Sequence, residues 1–221
     1  MSLVDGLSCI LDILNVRAQS PRSQQNSVVR EMRSADGKQG GTMVSHRYPK
    51  VWGIGLARTG TTTLCEVFRR LGYETVLHNP HFPSLETADA AADNECALFY
   101  RYLDYRFPGS KFILTTRALR DWLKSIKFVL DRYPVGGRED NIAIFRRMTL
   151  YGTVSFDELK MTCTYLRHHA EVRHYFRDRA DDLLEVDFSR GEGWERICAF
   201  LDLPVPDEPF PHLNKAADIS R

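Results

Sequence analysis

Residues Gly55 to Thr62 (GLARTGTT) hold two glycines five positions apart, one arginine and three hydroxyl side chains. They follow a short apolar run, Val51 to Leu56, and precede Leu64, Val67, Phe68 and Leu71 at helical spacing. A glycine-bearing turn between a strand and a helix aims backbone N–H groups and a helix N-terminus at an anion. Gly60 permits close backbone approach, and Thr61 and Thr62 add hydroxyls beside the first helical turn. The spacing is that of a nucleoside-triphosphate loop, but position 61 is threonine where that loop carries lysine. The positive charge sits earlier, at Arg58. Without the lysine the loop is poorly equipped for the β- and γ-phosphates of ATP. For magnesium, the nearest acidic strand end is Glu185-Val-Asp187.

A second feature lies further on. Lys111 to Arg117 (KFILTTR) reads as a strand ending in an arginine, with Ser125 eight positions later on the next helix. The carboxyl ends of parallel strands face one crevice, so Arg117 and the Thr59–Thr62 loop can line the same cleft. An arginine fork and a helical serine suit a second phosphate.

The elements that must position these groups alternate between strand and helix. Glu74 to His78 reads as a second strand, and Ala88 to Phe107 as mainly helix with Leu98, Tyr102 and Tyr105 on a buried stripe. Helix follows from Leu119 to about Leu130, and the capping-box pattern of Ser155 to Glu158 opens a long helix to about Arg179. Asp182 to Phe188 reads as a fourth strand and Trp194 to Leu201 as a last helix. Such alternation predicts an α/β fold with a mostly parallel central sheet of four to five strands covered on both faces. Residues 1–46 read as a flexible arm, with a short amphipathic stretch (Val4 to Val16) that lacks the marks of a signal peptide. Residues 47–221 form the globular domain.

Composition narrows the function class. Of 221 residues, 43% are hydrophobic and 27% charged, which excludes a disordered or fibrous chain. No apolar run reaches the roughly 18 residues of a membrane span. The net charge of +1 argues against a general nucleic-acid binder. Residues 101–150 nevertheless carry eleven basic and five acidic side chains, a local excess around Arg117 and Ser125. Five cysteines, odd in number and without a CxxC pair, read as reduced thiols in the cytoplasm.

Taken together, the chain resembles the sulfotransferases that use 3′-phosphoadenosine 5′-phosphosulfate (PAPS). Their 5′-phosphosulfate loop, P-[KR]-[ST]-G-[ST]-[ST], is matched by Ala57-Arg-Thr-Gly-Thr-Thr62, with alanine in place of proline. Their strand-end arginine and following serine are matched by Arg117 and Ser125. FPGSKFILTTRALRDW and LLEVDFSRGEGWERICAFLDLPVPDEPFPHLN are similar to the branch with an RTGTT loop, and the likeness covers about residues 50–215.

The resemblance implies a P-loop-type three-layer αβα fold and transfer of a sulfuryl group from PAPS to a hydroxyl or amine. It implies release of 3′,5′-adenosine bisphosphate and no metal. Arg58, Thr59, Gly60, Thr61, Thr62 and Thr63 would hold the 5′-phosphosulfate, and Arg117 with Ser125 the 3′-phosphate. Arg58, always protonated, would act electrostatically as a catalytic group.

A general base is also required. His78 is placed first, at a strand end on the loop's edge, followed by Asp93 and Glu95 and then Asp89. His168, His169 and His174 read as surface residues of a basic helix, Trp122 and Trp194 as core, and Ser189 and Arg190 as within reach of the nucleotide. The acceptor would be a small molecule, carbohydrate or lipid, without nucleic acid or an integral membrane segment, and the reading leaves room for a homodimer. Two other readings stay open: a small-molecule kinase or other nucleotide-dependent P-loop enzyme, against which the missing lysine argues, and a non-catalytic nucleotide-binding module.

Overall fold

The computed structural model describes residues 50–136 and 141–211; the arm expected over 1–46, and its boundary, lie outside the described residues. Five strands form one sheet: β1 Val51–Gly53, β2 Val76–His78, β3 Ala90–Ala92, β4 Lys111–Thr115 and β5 Leu183–Val186. Every pairing is parallel, in the order β2-β3-β1-β4-β5, with Gly53 between Ala92 and Ile113. The described helices are α1 Thr61–Arg70, α2 Asn94–Arg106, α3 Leu119–Arg132, α4 Asn141–Tyr151, α5 Glu158–Phe176 and α6 Trp194–Leu201.

Successive strand residues point to opposite faces, which sorts the core into two layers. On one face Val51, Ala92 and Ile113 pack against Leu64 and Phe68 of α1 and Ile197 of α6. On the other, Trp52, Phe112 and Leu114 pack against Tyr100 and Leu103 of α2 and Phe176 of α5. Trp52, Phe68, Phe112 and Phe176 are fully enclosed, each contributing about 1.5–3 kcal/mol of burial. The result is the three-layer α/β fold of the P-loop type. A third cluster forms where α2, α3, α4 and α5 meet, around Leu56, Trp122, Ile126, Tyr151 and Tyr165. It walls the carboxyl edge of the sheet. No helix among the described residues is long and apolar enough to cross a membrane.

Several expectations change. Ala90–Ala92 is a strand, not the start of the helix expected from Ala88; alanine carries no strand signal, yet it fits the crowded slot between β1 and β2. Tyr102 and Tyr105 are exposed, and the buried stripe of α2 runs through Cys96, Tyr100 and Leu103 instead. Helix α5 is capped by Asp157, whose side chain accepts from the Lys160 amide, and not by Ser155. His168 and His169 are buried, against the expected surface placement. His168 Nε2 lies 2.7 Å from the carbonyl of Ile54, just beyond β1. Trp122 and Trp194 are core residues, as expected. Cys65, Cys96, Cys163 and Cys198 are free thiols.

Candidate active site

From β1 the chain crosses residues 54–60 and enters α1. A Cβ on Gly55 would lie 2.6 Å from the Thr115 carbonyl oxygen and would collide with the Thr115 hydroxyl, so the loop must run flush against the end of β4. Thr59 fastens it there: its hydroxyl lies 2.7 Å from the Leu56 carbonyl and 2.6 Å from Thr115 Oγ1. Thr59 therefore braces the loop from within. Arg58 (φ 73°) and Gly60 (φ 112°) both take left-handed backbone. Helix α1 begins without a side-chain cap or an acidic residue of its own in its first turn, so its positive dipole end faces the cleft.

Two arginines stand beside this loop. Arg58 Nε donates to Ser125 Oγ at 3.0 Å, and Arg117 Nη1 donates to the Arg58 carbonyl at 3.4 Å. Neither forms an ion pair with a carboxylate among the described residues. Arg117 Nε is buried without a hydrogen-bond partner. Burial, reinforced by the neighbouring Arg117 charge, pushes the Arg58 pKa below its ordinary value. Such a pair favours a bound anion.

His78 closes β2, and Asp93 follows β3, on the same edge. His78 Nε2 lies 3.0 Å from Asp93 Oδ2 and 3.1 Å from Thr62 Oγ1. Thr61 Oγ1 donates to Asp93 Oδ2 at 3.2 Å. Asp93 adopts φ 111°, ψ −168°, a backbone region that belongs to glycine and costs other residues about 1–3 kcal/mol. Its Oδ1 accepts from the Asn94 amide at 2.7 Å and caps α2. A strained, nearly buried acid thus joins the histidine to the first turn of α1.

The other expected bases are committed elsewhere. Glu95 is buried in a 2.5 Å ion pair with Arg146 of α4. Asp89 precedes β3, at the opposite edge of the sheet, and accepts from the Thr75 amide at 2.8 Å. Glu185, weighed above for magnesium and not as a base, is held by Arg173 through two 2.8 Å hydrogen bonds. Ser189 lines the cleft, whereas Arg190 is largely exposed and pairs with Asp187.

These groups open onto one cleft of about 630 Å³. Arg58, Gly60, Thr61, Thr62, Thr63 and Arg117 line it together with His78 and Asp93; Ser125 stands behind Arg58. Its far wall is apolar, from Ile126, Val129 and Leu130 of α3. Sequence spacing carried no signal for four contributors: Asn94, Trp122, Tyr151 and Arg146. Asn94 Oδ1 accepts from the Ala57 amide and the Tyr151 hydroxyl, each at 3.0 Å. Arg146 grips Asn79 and the Pro80 carbonyl, just beyond His78. The described residues contain no group of three or more His, Cys, Asp or Glu side chains able to hold a metal ion.

Residues 82–219 match the sulfotransferase domain, a span that contains Asp93, Arg117 and Ser125 and begins after the phosphate loop. The Ava biosynthesis cluster protein M of Aspergillus versicolor is 28% identical over a 212-residue alignment that takes in 74% of this chain and 80% of that protein. More than half of the sequence thus falls within one family, on a fold of the expected kind, and the chain belongs to the sulfotransferases.

Proposed function

We propose that the protein transfers a sulfuryl group from PAPS to the hydroxyl of a small acceptor. The observation that carries this reading is the pair Arg58 and Arg117, side by side against an uncapped helix start and without a carboxylate partner. The residues fit the donor: a buried Arg117 Nε lacks a partner, and flanking hydroxyls are in place. When bound, PAPS supplies the sulfuryl group and departs as 3′,5′-adenosine bisphosphate. Arg58, the Gly60 backbone, Thr61 and Thr62 hold the 5′ end; Arg117 and Ser125 hold the 3′-phosphate and separate this donor from ATP. Fixed positive charge then stabilises the spreading negative charge, as in phosphoryl transfer.

His78 accepts the acceptor proton. Asp93, 3.0 Å from its Nε2, orients the ring and offsets the charge it gains. The sheet order puts His78 and Asp93 at the β2–β3 half of the edge and Arg117 at the β4–β5 half. The acceptor would lie along α3 and α4, whose lining combines the apolar Ile126, Val129 and Leu130 with Arg147 and with Arg146, whose charge Glu95 offsets. An acceptor with an apolar body suits the α3 part of that wall. The relative's name, which places it in a biosynthesis cluster, is in keeping with a small-molecule acceptor. Free thiols are in keeping with the cytoplasm.

Thermal shift tests the donor. Adenosine 3′,5′-bisphosphate should stabilise the protein without magnesium, and Arg117→Ala should weaken that ligand by at least about tenfold (~1.4 kcal/mol) while changing 5′-AMP affinity less than about threefold. A response to ATP with magnesium alone would sink the reading.

A further inference from the structure

Two buried aromatic side chains connect the loop and the strand-end arginine, and neither faces a ligand in the functional reading above. Trp122, on α3, is fully buried, and its indole N–H donates to the carbonyl of Ala57 at 2.9 Å. Ala57 immediately precedes Arg58. Tyr165, on α5, is also buried; its hydroxyl accepts from the Arg117 amide at 3.3 Å and donates to the Arg117 carbonyl. Both polar backbone groups of Arg117 are therefore held by one side chain from a different helix. The two rings pack with centroids 4.9 Å apart. His169, one turn along α5, packs on Tyr165 with ring centroids 4.0 Å apart, and its Nδ1 lies 2.7 Å from the Tyr165 carbonyl.

Such a connection has a mechanical consequence. Each backbone tie fixes one anion-binding segment, and the ring stack fixes the ties relative to each other. The loop also meets the end of β4 directly, through Thr59 Oγ1 2.6 Å from Thr115 Oγ1, but Arg117 itself touches the loop only by the long 3.4 Å hydrogen bond to the Arg58 carbonyl. Two phosphates on one nucleotide are recognised jointly only if their sites keep a set separation; a site free to drift binds each phosphate but loses the joint gain. We infer that Trp122 and Tyr165 form a positioning strap that sets the spacing between the Arg58 loop and Arg117, and so makes the cleft selective for a nucleotide phosphorylated at both ends. This inference rests on the donor assignment proposed above.

Calorimetric titration with 5′-AMP, 3′-AMP and adenosine 3′,5′-bisphosphate separates the possibilities, with urea unfolding as the check on folding. Tyr165→Phe keeps the ring and removes the hydroxyl. It should lower bisphosphate affinity at least tenfold and leave 5′-AMP within threefold of wild type. Trp122→Phe should likewise reduce the bisphosphate advantage over the monophosphates. The double variant should lose little more of that advantage than the weaker single, because a strap cut once is already cut. Equal weakening of all three nucleotides in Tyr165→Phe overturns the inference, as does full additivity in the double variant. Should Trp122→Phe not fold, Tyr165→Phe alone decides. Failure of wild type to bind any of the three would refute the donor assignment, and the strap with it, whereas tight bisphosphate binding unchanged in Tyr165→Phe refutes the strap alone.

Discussion

At the scale of single residues, Asp93 stands out, because a non-glycine residue is held in a backbone conformation that costs about 1–3 kcal/mol. The surrounding structure sustains that cost and obtains in return a carboxylate that meets His78, Thr61 and the start of α2 at once. If the strain serves proton transfer, His78→Ala should lower kcat by about 10²-fold or more, the usual range for a lost general base. Asp93→Asn keeps the side-chain shape and removes the charge, so kcat should fall at least tenfold with bisphosphate binding no weaker than wild type. Steady-state kinetics beside calorimetry checks both, and an unchanged kcat in either variant removes that residue from the mechanism. His78 was legible in the sequence as a strand-end histidine. Its pairing with Asp93 was not, since the two lie on different strands and only the sheet register brings Ala92 level with His78.

At the scale of elements, α4 is what the hydrophobic pattern concealed. Ile142, Phe145 and Met148 are exposed, so its apolar residues mark no inward stripe. Besides Leu150 and Tyr151 at its end, a buried arginine holds the helix: Arg146 pairs with Glu95 and binds the segment after His78. Removing one partner of a buried ion pair strands the other charge, at about 3–5 kcal/mol. Arg146→Met should therefore destabilise the protein by about 3 kcal/mol in urea unfolding, and adding Glu95→Leu should recover part of that loss. A double variant no more stable than Arg146→Met would place the stabilisation in the hydrogen bonds to Asn79 and Pro80. The strand Ala90–Ala92 escaped the sequence reading for a related reason: three alanines suit a helix locally, and only their neighbours make them a strand.

For the whole molecule, the buried histidines give the fold a predictable response to acid. Burial lowers the His168 pKa from 6.5 to about 4 and also lowers that of His169. The unfolded chain then binds protons more readily than the folded one below pH 6.5. The stability linked to His168 is complete above that pH and is lost as pH falls toward 4, by up to about 1.4 kcal/mol per pH unit. Urea midpoints measured between pH 7 and 5 should fall more steeply for wild type than for His168→Gln, whose amide can still donate to the Ile54 carbonyl. Parallel slopes would move the acid sensitivity elsewhere.

The amino-acid order alone determined the chemistry that depends on near neighbours. A glycine turn between strand and helix, an arginine at a strand end and a serine two turns into the next helix are local arrangements, and local sterics and hydrogen bonding are enough to place them. The same holds for the alternation that makes the α/β class and for the excess of basic residues around Arg117. Tertiary structure decided whatever rests on contacts across long stretches of chain. It joined His78 to Asp93, turned Thr59 inward, withdrew Glu95 and Asp89 from the cleft, buried His168 and His169, and set Trp122 on Tyr165. The physical reason is that a side chain's partner at such separation is chosen by packing and by the need to satisfy buried polar groups, and neither is written in the spacing of residues.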